Sequence, residues 1–356
     1  MARFIKILKK TALAASIASL ATVANATIVT SIKPLGFIAS SIADGVTDTE
    51  VLVPAGASPH DYSLKPSDIQ KLQGAELILW VGEDIDAFLD KTLRPMPFKK
   101  VLSIADFAEI GGLLEGEAHD HKHEHDHTHK HDHDHKHDHN HDHNHDHNHK
   151  HDHAHKHDHE HKHDHDHKHD HEHKHDHAHG HEHDHSTNWH VWYSPEISKI
   201  VATRLATRLT EAYPEKKEKI AQNLAEFNRT LAEQSEKIKQ QLAPVKEKGF
   251  YVFHDAYSYF NNAYGLKQTG YFTINPLVAP GAKTLAKIKQ EIKEHKVNCL
   301  FAEPQFTPKV IESLSKGTGV HVGRLDPMGD AVKLGVNSYA NFLQYTADSY
   351  FACLSK

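Results

Sequence analysis

Histidine occupies every odd-numbered position from 119 to 185, thirty-four in all, and the residues between are almost all Asp, Glu, Lys or Asn. The chemistry of such a segment is transition-metal binding. Neutral imidazole suits zinc, copper and nickel, and interleaved carboxylates add oxygen donors and negative charge that attract a dication. Its only apolar side chains are Ala154 and Ala178. Nothing offsets the entropy of ordering it, so 119–185 is expected to be a disordered, solvated arm. A purification tag would be short and terminal, whereas this run is internal, long and interleaved.

Four positions outside the arm are candidates for a built metal site. His60 stands in Gly-Ala-Ser-Pro-His-Asp-Tyr (56–62), His190 in Trp-His-Val-Trp (189–192), His254 after the apolar run Tyr-Val-Phe (251–253), and Asp326 in Arg-Leu-Asp-Pro (324–327). All four fall at strand ends or in loops, where open α/β sheets place binding groups. Three imidazoles and a carboxylate would close a tetrahedral zinc shell. Taken singly, each has a plainer reading, since a histidine at a strand end is often a hydrogen-bonded structural residue and Asp-Pro is often a turn. Composition does not separate His295 and His321 from the other three; His295 reads as the exposed end of an amphipathic helix.

The elements that must position these residues alternate between strand and helix. A strand is predicted over 27–32, a helix over 35–44, a strand at 51–53, a helix over 67–72 capped by Ser67, and a strand over 75–81 that is apolar but for Glu76. After the arm, Ser-Pro-Glu (194–196) opens a helix whose Ile200, Val201, Leu205 and Leu209 recur at helical spacing until Pro214 breaks it. The Pro-free stretch 215–243 would span about 43 Å as a helix, long for one small lobe. Further strands are predicted at 250–253 and 297–301, with helices at 256–264, 285–294 and 338–353. The expected organisation is a signal peptide (1–26), an N-terminal α/β lobe (27–118 and 186–214) interrupted by the arm (119–185), a linking helix (215–243) and a C-terminal α/β lobe (244–356).

Arg3, Lys6, Lys9 and Lys10 precede an apolar stretch over 11–23 and an Ala-Asn-Ala cleavage site at 24–26. Together they read as a secretory signal, with the mature chain starting at Thr27 and exported to a periplasm. No later run reaches the length of a membrane span. In that oxidising compartment the two cysteines, Cys299 and Cys353, predict one disulfide, with two separate buried thiols as the alternative. Setting arm and signal aside leaves 29 basic against 30 acidic side chains. This body has no basic excess, so a nucleic-acid partner is disfavoured.

Several segments in order resemble the ZnuA family, the periplasmic zinc-binding components of zinc ABC importers within the cluster A-I metal-binding proteins. They are Gly-Ala-Ser-Pro-His-Asp-Tyr-Ser-Leu-Lys-Pro-Ser-Asp (56–68), Ser-Pro-Glu (194–196), Phe-His-Asp-Ala-Tyr (253–257), Phe-Ala-Glu-Pro-Gln-Phe (301–306) and Leu-Asp-Pro-Met-Gly (325–329). The resemblance spans nearly the whole mature chain. It implies two (β/α)4 lobes joined by a long rigid helix, Zn2+ held in the cleft by His60, His190 and His254, and a disulfide from Cys299 to Cys353. The fourth ligand is left as Asp326, water or an arm residue. Manganese-binding relatives carry glutamate where this chain has His254, and a nitrogen-rich set favours zinc.

The function expected is capture of Zn2+ in the periplasm by a soluble, monomeric, non-enzymatic protein. It would deliver the ion to an ABC permease and, through it, to the ATPase subunit. The arm, ending five residues before His190, would collect or buffer zinc; a plain solvated spacer is the alternative. A periplasmic zinc storage protein would need the arm alone and would leave the spaced triad unexplained. A zinc hydrolase would need an open coordination position and a positioned base, and outside the arm no H-E-x-x-H occurs.

Overall fold

Leu77–Trp80, four apolar residues buried without exception, is a strand covered on both faces, and the protein is built around strands of this kind. The structure is a computed structural model and describes residues 27–116, 187–306 and 309–356. The expected signal peptide and His-rich arm lie outside the described residues.

The first lobe runs β1 (Thr27–Thr30), α1 (Lys33–Ile42), β2 (Asp48–Val51), α2 (Pro66–Gly74), β3 (Leu77–Trp80), α3 (Glu83–Asp86), α4 (Asp90–Leu93) and β4 (Val101–Ser103). Its sheet is parallel throughout, in the order β2-β1-β3-β4. The start of α2 corrects the expected Ser67 cap. Pro66 takes the first helical position and the Asp68 carboxylate reaches back to accept the Lys65 N–H at 2.9 Å, so Ser67 lies inside the first turn.

Short strands β5 (Glu115–Gly116) and β6 (Thr187–Asn188) pair antiparallel, Gly116 opposite Thr187. The two ends from which the arm departs are therefore held side by side, and for ends already joined a long insertion adds little entropic cost. Next come α5 (Pro195–Ala212), its N–H of Ile197 capped by Ser194 Oγ at 3.2 Å, and α6 (Lys217–Leu242), 26 residues or about 39 Å long. Ile220, Phe227, Leu231, Ile238 and Leu242 make the buried stripe of α6.

The second lobe runs β7 (Phe250–His254), α7 (Ser258–Tyr264), β8 (Gln268–Thr273), α8 (Ala282–Lys293), β9 (Cys299–Ala302), α9 (Lys309–Thr318), β10 (His321–Arg324) and α10 (Ser338–Leu354). Its parallel sheet has the order β10-β9-β7-β8. The architecture is thus α/β with two parallel-sheet lobes. Helix α6 packs on α1 and α5 of the first lobe and on α7 and α10 of the second.

Alternate residues of the central strands feed different cores. Val29, Ile78 and Trp80 form an outer cluster in the first lobe, and Tyr251, Phe253 and Leu300 one in the second. Ile28, Leu79, Phe250, Val252 and Phe301 belong instead to a single apolar cluster that runs through both lobes and the helices between them. Cys299 and Cys353 are disulfide-bonded, fastening the last turn of α10 to the start of β9.

Candidate metal centre

The carboxyl ends of the two sheets supply the site. After β2, Gly56 takes a left-handed conformation (φ 79°), and its N–H donates to Asp330 Oδ2 at 2.7 Å, tying this loop to the second lobe. Two residues on, Ser58 Oγ accepts the His60 N–H at 3.3 Å, and Pro59 opens a short 3-10 turn that carries His60. His190 stands two residues past the end of β6, after Trp189, and His254 is the last residue of β7.

Three imidazole nitrogens meet here. His190 Nε2 lies 3.4 Å from His60 Nε2 and 3.2 Å from His254 Nε2, and one ligand atom from each ring falls within 4.8 Å of the others. Zinc bound tetrahedrally at 2.0–2.1 Å sets its nitrogens about 3.3–3.4 Å apart. The two Nε2 separations match that spacing. Among the described residues, no other group of three His, Cys, Asp or Glu side chains converges in this way.

The outer nitrogens explain which inner ones are free for a metal. His254 Nδ1 is 2.7 Å and 2.8 Å from the two carboxylate oxygens of Glu303, so it donates to them and leaves Nε2 bare. Glu303 is itself fully buried and accepts from Tyr257 Oη at 2.9 Å. His190 Nδ1 lies 2.7 Å from Asn188 Oδ1, which also accepts the His190 N–H at 3.0 Å. Asn188 Nδ2 donates to the Asp255 carbonyl at 2.8 Å, so the amide faces one way and His190 Nδ1 must carry the proton. Such partners fix tautomer and ring orientation and raise ligand basicity.

The electrostatics keep the rings of His60 and His190 neutral. Burial, reinforced by His254, pulls the His60 imidazole down to about 3. Burial, with His254 and His60 beside it, holds His190 well below the ordinary histidine range. Neutral imidazole is the ligand form, so these two rings meet a cation at neutral pH with no proton to expel.

Asp326 does not join the three nitrogens. Its Oδ1 accepts from Gln305 Nε2 at 2.8 Å and from the Met328 N–H at 3.0 Å, and its Oδ2 accepts from the Asp330 N–H at 2.7 Å. His321 is exposed at the start of β10, and His295 is exposed just past α8 in a left-handed conformation (φ 57°). Sequence reasoning assigned no role to Asn188, Glu303 or Gln305. A signal for Glu303 existed: β7 and β9 are neighbours with Val252 opposite Phe301, so residues two further along, His254 and Glu303, meet.

A family model described as "ZnuA: Zinc-uptake complex component A periplasmic" matches residues 28–353. The chain is 67% identical over 351 residues to the high-affinity zinc uptake system protein ZnuA of Haemophilus influenzae, covering 99% of each chain. It is 52% identical to the protein of that name in Haemophilus ducreyi, covering 98% of this chain and 99% of that one. Among solved structures, the fold is similar to one described as the crystal structure of ZnuA (TM-score 0.64, 21% identity, 92% of this chain and 99% of that one). It is also similar to the periplasmic zinc-binding protein TroA of Treponema pallidum (TM-score 0.65, 15% identity, 93% and 100%).

Proposed function

Because the chain belongs to the ZnuA family of periplasmic zinc-uptake components, we propose that it captures Zn2+ and delivers it to an ABC permease and its ATPase subunit for import. It does so in the periplasm, as a soluble monomer. Zinc is the cargo, and His60, His190 and His254 are the ligands that hold it. The observation that carries this reading is the convergence of three Nε2 atoms, two of whose rings, His190 and His254, are presented in the metal-binding tautomer by Asn188 and Glu303. An all-imidazole set favours zinc over manganese, which accepts oxygen-rich shells. No described helix is long and apolar enough to cross a membrane.

A hydrolase would need a base aimed at a metal-bound water. The carboxylate nearest the triad, Glu303, is instead occupied by His254 Nδ1 and Tyr257 Oη. A storage role resting on the arm alone leaves this buried triad without a purpose. The arm, with a histidine at every second position, supplies many further imidazoles that collect zinc. Chelator-competition titration with zinc tests the reading: His254→Ala should abolish the tightest site, and an unchanged tightest site would overturn the triad.

A further inference from the structure

A second cavity lies at the amino ends of β1 and β3, the opposite end of the first lobe's sheet from the three histidines, with a volume of about 300 Å³ including its open mouth. Buried Ile28, Leu77 and Leu209 give it apolar walls. Arg208, Lys99 and Tyr213 bring hydrogen-bond donors to the same cavity. Among the described residues no side-chain hydrogen bond or ion pair engages Arg208 or Lys99. One turn earlier on α5, Arg204 is paired with the Glu109 carboxylate, whereas Arg208 stands over the Phe98 ring, 5.0 Å from its centroid. That contact holds the guanidinium and leaves its N–H groups able to donate. Tyr213 ends α5, its N–H donating to the Leu209 carbonyl at 2.7 Å with Pro214 next in the chain. Its hydroxyl is buried and has no partner among the described residues. A buried hydroxyl left unpaired is costly, and the oxygen of an anion would satisfy it while meeting both cations.

We propose that this cavity binds a small organic monocarboxylate, whose oxygens accept from Arg208, Lys99 and Tyr213 Oη and whose apolar body lies against Ile28, Leu77 and Leu209. The planar guanidinium matches a carboxylate in geometry as well as charge. A single negative charge is favoured over two, because Glu76 and the last turn of α5, with its partly negative carbonyl end, line the same cavity. Inorganic phosphate would in addition lose hydration to apolar walls that return no hydrogen bonds. The site shares no residue with the metal centre and does not depend on the zinc reading.

The test titrates isovalerate, and separately inorganic phosphate, into the metal-free full chain near neutral pH by isothermal calorimetry. Saturable binding of isovalerate is expected, weakened about tenfold or more in Tyr213→Phe and in Arg208→Gln, each of which removes a charge-assisted hydrogen bond. The histidine-rich segment is common to all variants, so any anion it attracts cancels in the comparison. Tyr213→Phe keeps the ring and deletes only the unpaired hydroxyl, so without ligand it should melt no lower than the parent. His254→Ala should bind isovalerate as the parent does, which keeps this result apart from the fate of the zinc site. Absence of saturable isovalerate binding would overturn the proposal, and so would parent affinity in Tyr213→Phe or a loss in His254→Ala equal to that in Arg208→Gln. Phosphate binding more tightly than isovalerate would overturn the carboxylate assignment.

Discussion

Asn188 and Glu303 accept from Nδ1 of His190 and His254 and so leave Nε2 bare, and with these nitrogens proposed as zinc ligands their loss should be felt in affinity. Glu303→Gln keeps the size and an acceptor but removes the negative charge behind His254, and zinc affinity measured by chelator competition should fall about 10–100-fold; parent affinity would contradict the role. Protonation gives a second test. His60 and His190 have folded-state pKa values below the unfolded value near 6.5, so the unfolded chain binds protons more readily as pH falls through 6.5. Their contribution to metal-free stability is therefore full above about pH 7 and is lost on acidification, until the pH nears the folded value, about 3 for His60. Asp86 has the opposite sign. Burial pushes it up to about 7 against hydrogen bonds from Ser31, Val81 and Gly82, so its contribution is full below the unfolded pKa near 4 and is lost as pH rises through 7. Asp86→Asn should accordingly raise the melting temperature of the metal-free protein more at pH 8 than at pH 5; a gain that does not depend on pH would contradict this. The three histidines were legible in the sequence as strand-end residues in recognisable segments. Asn188 and Gln305 were not, because a neutral amide carries no pattern until its partners are placed in space.

At the level of elements, legibility followed burial. Central strands β1, β3, β7 and β9 are covered on both faces and read as apolar runs. The edges did not: β4 is three residues long, β8 holds a glycine, β10 (His-Val-Gly-Arg) is largely exposed, and β2 (Asp-Thr-Glu-Val) precedes the apolar 51–53 stretch that was expected to be the strand. An edge strand half open to water has no continuous apolar signal to give. Two joints between elements carry predictions. The Cys299–Cys353 disulfide links residues 54 apart, and in chain-entropy terms it should contribute roughly 2–4 kcal/mol, so reduction should lower the melting temperature. An unchanged melt would show that packing of α10 alone suffices. Gly249, just before β7, sits so close to the turn after α8 that an added Cβ would lie 1.9 Å from the Lys296 carbonyl oxygen. Gly249→Ala should destabilise the second lobe by more than 1 kcal/mol in denaturant melts, since backbone cannot yield as a side-chain tip does.

Over the described residues, one apolar cluster joins the lobes, α6 packs against helices of both, and α10 of the second lobe packs on α1 of the first. A large apolar junction disfavours wide relative motion of lobes, and the Gly56 N–H to Asp330 hydrogen bond adds a local tie between the loop after β2 and the second lobe. The paired strands β5 and β6 flank the histidine-rich segment in sequence, and β6 leads into the His190 segment. An imidazole of unperturbed pKa near 6.5 protonates between about pH 7 and 5.5, so zinc held by the arm as proposed should be released over that range while the cleft keeps its ion. Bound zinc per chain should therefore exceed one at pH 7.5 and fall toward one near pH 5.5; a single ion at both values would make the arm a spacer. The central claim is the placement of the cargo ion, and anomalous scattering at the zinc edge from crystals loaded with one equivalent addresses it directly. The strongest peak should lie roughly 2.0–2.1 Å from Nε2 of His60, His190 and His254. A strongest peak away from these three nitrogens would contradict the account.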